Sequence, residues 1–163
     1  MPDIIPIDLS QADHAAALLA LLDHYARDPM GGGSGLSEQA RANLVTGLQA
    51  RSDYFGFFAF ENGEALGLIN CFEGFSTFAA KPLMNVHDIA VLRQHRGRGL
   101  SRLLLGAAED LARQRGCCKL TLEVLSGNRV AMSAYKSFGF APYVLDPGAG
   151  DAVFLQKIIA PRS

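Results

Sequence analysis

The sequence is poor in the features that mark a disulfide framework or a membrane segment. Three of its 163 residues are cysteine, and two of them, Cys117 and Cys118, are adjacent. An odd count with an adjacent pair does not make a disulfide framework, so we expect a reducing cytoplasm. No apolar run approaches the ~20 residues that a membrane-spanning helix needs. The N-terminus, Met1-Pro2-Asp3-Ile4, has neither the basic start nor the long apolar stretch of a signal peptide.

An excess of charge of one sign is also missing. Fifteen Lys and Arg residues stand against 16 Asp and Glu residues, which gives a net charge of -1. Because binding to nucleic acid or to an anionic membrane surface depends on positive charge, this balance argues against both partners. No spacing of Cys, His and carboxylates matches a metal site. Apolar residues make up 49% of the chain, enough for one domain over residues 1–163.

Hydrophobic periodicity predicts both strands and helices along the chain. The predicted strands cover residues 4–7, 54–60, 65–72, 83–92, 120–124, 143–145 and 152–155, and the predicted helices run from Ser10 to about Arg27, from Ser37 to Leu48, from Leu100 to Gly116 and from Val130 to Phe138. Asn62-Gly63 lies between two apolar runs and predicts a hairpin turn. This order is typical of an α+β or mixed α/β sheet with helices on its faces.

One predicted strand-to-helix turn has a pattern suited to an anion. Gly97 and Gly99 lie in it, and Arg96, Arg98 and Arg102 surround them with mobile positive charge. Glycines let the backbone approach an anion, and the free amides and dipole of a helix N-terminus favour negative charge. The alternative is a tight turn with solvated arginines. No Lys-Ser or Lys-Thr follows the last glycine, so the turn is not a P-loop.

A second group of residues follows the predicted strand at 120–124. Asn128 would either cap the next helix or donate a hydrogen bond to a ligand. Tyr135 lies seven residues later, two helical turns on and on the same face. A tyrosine on an otherwise apolar helix face is usually a core residue whose hydroxyl finds one partner, and catalysis is the alternative.

Together the two patterns resemble the GNAT superfamily of acyl-CoA N-acetyltransferases. The family signature is a strand, then Gln/Arg-x-x-Gly-x-Gly/Ala at a helix start, then a downstream Asn, Ala, Tyr and Gly-Phe set. The residues that match it are Arg96, Gly99, Ser101, Asn128, Ala131, Tyr135, Gly139 and Phe140. Ser101 stands where Gly or Ala is usual, and we expect it to be tolerated. The resemblance implies an α+β (mixed α/β) fold with a central, mostly antiparallel, splayed mixed sheet flanked by helices.

The resemblance also implies acetyl-CoA as co-substrate, with no metal. Its pyrophosphate would lie on the amides of Gly97, Arg98, Gly99, Leu100, Ser101 and Arg102, beside Arg96. The pantetheine arm would pair with the backbone of Ile89, Ala90 and Val91, near Asn128 and Ala131. Such pairing requires that the strand splay from its neighbour and leave a wedge.

Direct attack of an amine on the thioester is the chemistry that the resemblance implies, with no covalent enzyme intermediate. The Val91 amide would polarise the thioester carbonyl, and Tyr135 would act as general acid toward the departing thiolate. The amine must first lose a proton; histidine is the residue type suited to that task near neutral pH, and His87 is the candidate base. The alternatives are an ordinary half-buried histidine or a water relay. Asp88 is expected on the opposite face from His87.

Two segments, 74–78 and 86–91, resemble the spermidine/spermine and thialysine N-acetyltransferase branch. That branch has Glu where this chain has His87, which removes a carboxylate suited to a polycation. Glu73 and Asp88 still offer negative charge, and Arg27, in the predicted lid, would bind a substrate carboxylate or simply favour a helix C-terminus. We expect a small-molecule amine, polyamine-like or amino-acid-like, and a homodimer. The alternatives are a protein N-terminal or lysine acetyltransferase and a non-catalytic acyl-CoA-binding sensor.

Overall fold

Five strands form one sheet, and four α-helices flank it, in the computed structural model, which describes residues 1–162. The strands are β1 (Asp3–Pro6), β2 (Tyr54–Glu61), β3 (Glu64–Ser76), β4 (Lys81–Val91) and β5 (Leu120–Leu122), and the helices are α1 (Ala12–Arg27), α2 (Glu38–Gln49), α3 (Leu100–Gln114) and α4 (Arg129–Phe138). The strand order follows the chain, β1-β2-β3-β4-β5. The first three pairings are antiparallel and the last is parallel, which confirms the mixed, mostly antiparallel sheet.

The two faces of the sheet are covered by different helices. On one face, apolar residues of α3, among them Leu104 and Ala108, pack with Ile69 and Met84. On the other, α1 and α2 pack against a cluster that includes Phe58. The α3 residues that are buried recur at the spacing that predicted the helix. The sheet is therefore the middle layer of three.

Strands β4 and β5 separate after a short pairing. Only Met84–Val86 of β4 is hydrogen-bonded to β5, opposite Leu120–Leu122. Strand β5 ends there, so Ile89–Val91 has β3 on one side and no strand on the other among residues 1–162. The splayed sheet that the resemblance implied is confirmed, and its wedge opens beside the start of α3.

The predicted strands at 143–145 and 152–155 are wrong. Residues 141–162 contain no strand, and their one regular element is a short 3-10 turn at Pro147–Ala149. Their apolar pattern is that of a strand, but a strand forms only against a neighbour. The segment does not return to the free edge of β5 in its own chain, so no ladder forms.

The hairpin between β2 and β3 turns at the predicted dipeptide. Asn62 and Gly63 both have positive φ, 53° and 84°. Two consecutive left-handed residues make the tight turn that Asn-Gly favours, so the prediction is confirmed.

None of the helices within residues 1–162 is long and apolar enough to span a bilayer.

Candidate active site

The turn between β4 and α3 presents backbone amides to the open end of the wedge. Gly97 and Gly99 have φ of 79° and 78°, and a Cβ on either would meet no atom within 4 Å. Within residues 1–162, the amides from Gly97 to Ser101 donate no hydrogen bond to a backbone or side-chain acceptor. The amide of Arg102 donates to the Gly99 carbonyl at 3.1 Å. Free amides at a helix start, with clear space around them, fit an anion.

The three arginines around this turn are not equally mobile, contrary to the sequence prediction. Arg98 donates to both carboxylate oxygens of Glu61 at 2.9 Å. Arg102 has no carboxylate partner within residues 1–162, and its guanidinium lies 5.7 Å from the Phe138 ring centre. Arg102 is therefore the cation of the three that is available to an anion.

Arg96 joins the turn to the segment that follows α1. Its Nε donates to the Val91 carbonyl at 3.2 Å, and its Nη2 donates to Asp28 Oδ2 at 3.0 Å. The Asp28 pKa is lowered, first by the Met30 amide and then by Arg96. A carboxylate beside the turn competes with an incoming phosphate for the same guanidinium. Arg96 thus fixes the geometry of the turn.

Alternate residues of β4 direct their polar backbone groups into the wedge. The Leu92 amide donates to the Leu66 carbonyl of β3 at 2.9 Å. By the alternation of an antiparallel pair, Ala90 also faces β3, whereas Ile89 and Val91 face the open edge. The bond from Arg96 to the Val91 carbonyl agrees with this direction. Of the three residues predicted to hold the pantetheine, Ile89 and Val91 therefore face the open edge and Ala90 does not; the Val91 carbonyl already accepts from Arg96, which leaves its amide.

A β-bulge in β4 corrects the predicted alternation of His87 and Asp88. Asn70 of β3 pairs with Asp88 and Cys71 with Val86, so His87 is an extra residue without a partner. Its ring meets Phe72 edge to face at 5.2 Å, on the α1–α2 face of the sheet. A bulge turns two successive side chains toward one face. His87 and Asp88 therefore project together.

A buried hydrogen-bonded chain ends on the Asp88 carboxylate. The Tyr54 hydroxyl donates to Asn70 Oδ1 at 2.7 Å, and Asn70 Nδ2 donates to Asp88 Oδ2 at 3.1 Å. Asn70 is 2% exposed, and burial raises the Tyr54 pKa. A buried amide must satisfy both of its ends, so Asn70 fixes the orientation of Asp88. Sequence analysis missed this chain, although a lone Asn inside the apolar run 65–72 is a usable signal.

Tyr25, near the end of α1, lies close to groups from both sides of the wedge. Its pKa is raised by burial and then by the negative charges of Asp88 and Asp28. The Tyr135 pKa is raised to about 12 by burial, with a further contribution from Tyr25. A phenol with that pKa keeps its proton at neutral pH. Tyr25 therefore contributes to the pKa shift of Tyr135 on α4, and Asp88 on β4 contributes to that of Tyr25.

Helix α4 supplies two of the predicted residues. Asn128 is the N-cap, and its Oδ1 accepts from the Ala131 amide at 3.2 Å. The cap uses only the oxygen, so the Asn128 amide nitrogen is left to donate elsewhere. Tyr135 lies two turns on, half-buried, with its ring 6.0 Å from Phe140 and edge to face. In this one conformation Asn128 can both cap α4 and donate a hydrogen bond to a ligand, the two roles considered from the sequence.

Two predicted substrate residues lie apart from this group. Glu73 pairs with Arg115, which follows α3 on the other face of the sheet. The Nε of Arg27 donates to Asp23 at 2.8 Å along the surface of α1. The structure does not bring either residue to Asp88. Residues 1–162 contain no group of three or more His, Cys, Asp or Glu that could hold a metal ion.

The wedge fits an acyl-CoA on two counts. Free amides and one available arginine at the start of α3 suit a pyrophosphate, and the free edge of β4 suits an arm that contains amides. This is the arrangement of a CoA-dependent acyltransferase. The Acetyltransferase (GNAT) family matches residues 15–140, and the chain belongs to that family.

Individual curated relatives match different shares of the chain. Streptothricin acetyltransferase of Streptomyces lavendulae is 44% identical over 63 residues, 39% of this chain and 33% of that protein. Thialysine N-epsilon-acetyltransferase of Caenorhabditis elegans is 27% identical over 134 residues, 78% of each chain. The chain thus spans about a third of the streptothricin enzyme, and 54% and 59% of two further curated relatives.

A solved structure supports the fold. An aminoglycoside N-acetyltransferase in complex with CoA superposes with a TM-score of 0.74 at 18% identity, over 96% of this chain and 95% of that one. At that identity the likeness concerns the fold, and the roles of individual residues depend on the geometry described above.

Proposed function

We propose that the protein is an acetyl-CoA-dependent N-acetyltransferase whose acceptor is a primary amine of a small molecule, polyamine-like or amino-acid-like. The observation that carries the proposal is the wedge itself: the free edge of β4 leads from the amides of the α3 turn to Asp88, and Tyr135 lies on α4, which packs beside α3. The names of the streptothricin and thialysine enzymes, both of which denote small-molecule acceptors, support the acceptor class.

The cofactor-binding residues divide by the part of acetyl-CoA that they would hold. The amides from Gly97 to Ser101 and the Arg102 guanidinium would bind the pyrophosphate. The free backbone groups of Ile89 and the Val91 amide, with the Asn128 amide nitrogen, would bind the pantetheine. Acetyl-CoA supplies an acetyl group activated as a thioester.

The acceptor arrives as an ammonium and must lose a proton before it reacts. The Asp88 carboxylate, fixed by Asn70, would attract the ammonium. His87 projects from the same face, is exposed, and would accept the proton. Because both side chains lie on one face, binding and deprotonation can involve the same nitrogen.

Val91 and Tyr135 would act at the reacting carbonyl and sulfur. The amine nitrogen bonds to the carbonyl carbon as the bond from carbon to sulfur breaks. The Val91 N–H would donate to the carbonyl oxygen as negative charge develops there. The Tyr135 hydroxyl would donate its proton to the sulfur, and a pKa of about 12 keeps that proton available at neutral pH. The ammonium nitrogen loses two protons, one to His87 before the attack and one as the amide forms. One proton reaches the sulfur through Tyr135, which is then reprotonated, and one is released to water, so atoms and charges balance.

Further expectations accompany this proposal. We expect activity in the cytoplasm, without a metal, and from one domain spanning residues 1–163. We expect neither nucleic acid nor membrane as a partner. A homodimer is also expected.

The test is CoA release, followed with a thiol reagent, over a panel of polyamines, thialysine, lysine, aminoglycosides and short peptides. Tyr135→Phe should lower kcat by roughly 10²–10⁴-fold while the Kd for acetyl-CoA is unchanged. Tyr143→Phe, which removes a hydroxyl from an exposed tyrosine, is the matched control and should retain full activity. In His87→Ala, the fall in kcat/KM on the acidic side of its pH profile should disappear.

Three outcomes would contradict the proposal at different points. Absence of acetyl-CoA binding would overturn it entirely. Tight binding without turnover on any small amine would favour a protein acceptor or a sensor. Identical pH profiles for wild type and His87→Ala would remove His87 as the base.

A further inference from the structure

The chain enters the α3 turn through a short 3-10 turn that receives its cap from α1. The 3-10 turn spans Arg93–His95, and Leu92 before it makes no side-chain hydrogen bond to cap it. Instead, Nε2 of His24 accepts a hydrogen bond from the Arg93 amide at 3.3 Å, across 69 residues of chain. The first amide of a helical turn has no partner within the turn, so an acceptor from elsewhere stabilises it. His24 therefore holds the start of the connection between β4 and α3.

A second contact from α1 to this connection involves side chains rather than backbone. Asp28 Oδ2 lies 3.0 Å from Arg96 Nη2 and 3.8 Å from Arg93 Nη2. A long arginine side chain can move while its backbone stays in place, whereas the Arg93 amide moves only with the chain. Gly97, where the free amides begin, follows Arg96 directly. The backbone of the turn is thus joined to α1 by His24.

The hydrogen bond to His24 defines the charge of its ring. A ring nitrogen that accepts a hydrogen bond carries no proton, so the imidazole is neutral, with its proton on Nδ1. Histidine is the side chain type that changes charge between about pH 5 and 8. A protonated ring would present an N–H to the N–H of Arg93, and the bond would be lost. The Asp28 contact persists over this range, because the Met30 amide and then Arg96 lower the pKa of that carboxyl group.

A proton on His24 would also add positive charge to a cationic part of the molecule. The ionisable groups around it, contributed by α1, β4 and the α3 turn, are Tyr25, Asp28, Asp88, Arg93 and Arg96. The two arginines share the Asp28 carboxylate, so a further cation there disfavours the closed turn. The same charge would attract a pyrophosphate, but at physiological salt that attraction is worth less than about twofold in Kd. Loss of a hydrogen bond changes an equilibrium by roughly 2–10-fold, so the loss decides the outcome.

We propose that His24 is a positioning residue, which in its neutral form holds the α3 turn ready for acetyl-CoA and on protonation releases it. Acetyl-CoA binding then weakens as the pH falls through the range in which histidine gains a proton. The inference rests on the proposed function for one point, that acetyl-CoA binds at this turn.

The Kd for acetyl-CoA, measured by calorimetry from about pH 7.5 to about 5.5 at about 0.15 M salt, tests the proposal. His24→Gln keeps an uncharged acceptor at the reach of Nε2, so its Kd at neutral pH should be within about twofold of wild type. On acidification the wild-type Kd should rise roughly 2–10-fold more than that of His24→Gln. His24→Leu has no acceptor and should bind roughly 2–10-fold more weakly at neutral pH already. The 3′-phosphate of CoA also titrates near pH ~6, but it does so equally with every variant.

A matched control lies on the same helix. His14 also accepts from a backbone amide, that of Asp8, through Nδ1 at 2.9 Å. It lies ten residues before His24, about 15 Å along α1. His14→Asn keeps an acceptor at that reach and removes a titrating ring, so it should retain the pH dependence of wild type. The other two histidines, His87 and His95, are unchanged in every variant, and their titration cancels in the comparison.

The Arg93 amide reports the contact in the free protein, without acetyl-CoA. In proton–nitrogen NMR spectra its signal should shift as the pH falls, with the same midpoint as the ring protons of His24, because one proton causes both changes. The shift should be absent in His24→Gln. Circular dichroism at neutral pH should match wild type for each variant, which shows that the helix is intact.

Each other outcome overturns the proposal. A pH dependence of Kd that His24→Gln retains would assign it to another group. Wild-type affinity in His24→Leu would mean that the turn needs no contact from α1. An Arg93 amide that does not follow the His24 ring would mean that the hydrogen bond does not control the turn. Each of these results leaves the proposed function in place, whereas absence of acetyl-CoA binding at every pH would overturn both.

Discussion

The chain up to Ala112 and the chain after it are equally rich in apolar residues but are packed in opposite ways. All the buried residues of the described chain lie between Leu18 and Ala112. From residue 113 to 162 no residue is buried, although α4 and residues 141–162 are strongly apolar. The first region is a complete core with a helix layer on each face of the sheet. The second region contacts that core only through partly buried side chains, among them Leu120, Tyr135 and Phe138.

The proposed active site lies where these two regions meet. The α3 turn, the free edge of β4 and Asp88 belong to the packed region, whereas Asn128 and Tyr135 belong to the open one. Preorganised donors need a rigid support, which the packed region gives.

The largest expected effect is on stability, and it separates the two regions directly. Leu104 is 0% exposed in the packed region, and Leu104→Ala should lower the free energy of unfolding by about 2–5 kcal/mol. Leu155 is 83% exposed, and Leu155→Ala should lower it by at most about 0.5 kcal/mol. Urea unfolding measures both changes. Equal losses would show that residues 141–162 belong to the same core.

The next effect concerns the buried chain that ends on Asp88. Asn70→Leu removes the donor to Asp88 and the acceptor of Tyr54, so the acceptor KM should rise roughly 10-fold, the worth of one charge-assisted hydrogen bond. The Kd for acetyl-CoA should stay the same. Tyr54→Phe removes only the hydrogen bond from the Tyr54 hydroxyl to Asn70, so the acceptor KM should rise less. A fall in kcat alone, with KM unchanged, would contradict a positioning role.

A smaller effect is expected from the carboxylate beside the α3 turn. Asp28→Asn removes a negative charge that contacts Arg96 and keeps a cap for the Met30 amide, so acetyl-CoA should bind roughly 2–5-fold more tightly at low salt. Added salt should reduce the gain. Asp23→Asn is the control. It removes the same charge from a carboxylate that pairs with Arg27 and Arg41, and should have little effect on acetyl-CoA binding. Weaker binding would mean that Asp28 positions the turn.

Much of the packed region could be predicted from the sequence, because its signals are local. The spacing of apolar residues predicted α3, Asn62-Gly63 predicted the hairpin, and Gly97 with Gly99 predicted the amide-rich turn. Each of these depends on residues close together in the chain. The partners of Arg96 and Arg98 could not be predicted in this way, since Asp28 and Glu61 are 68 and 37 residues distant.

Errors in the predicted site arose where pairing between strands decides the outcome. Strict alternation separates His87 from Asp88, and only the register against β3 reveals the extra residue that brings them together. The same holds for Ala90, whose polar groups face β3 rather than the wedge. The prediction of strands at 143–145 and 152–155 was wrong because these segments do not pair with a strand of the described sheet.

The smallest effect tests how far the open region protects Tyr135 from water. A raised folded-state pKa means that the folded protein keeps this proton after the unfolded chain has lost it. The contribution to stability is therefore complete below the ordinary value of about 10 and is lost as the pH rises toward about 12. Unfolding at several pH values from 9 to 11 should show a shallower alkaline decline in Tyr135→Phe than in wild type. Identical slopes would mean that the Tyr135 hydroxyl is exposed to water. Its environment would then not distinguish it from an ordinary phenol.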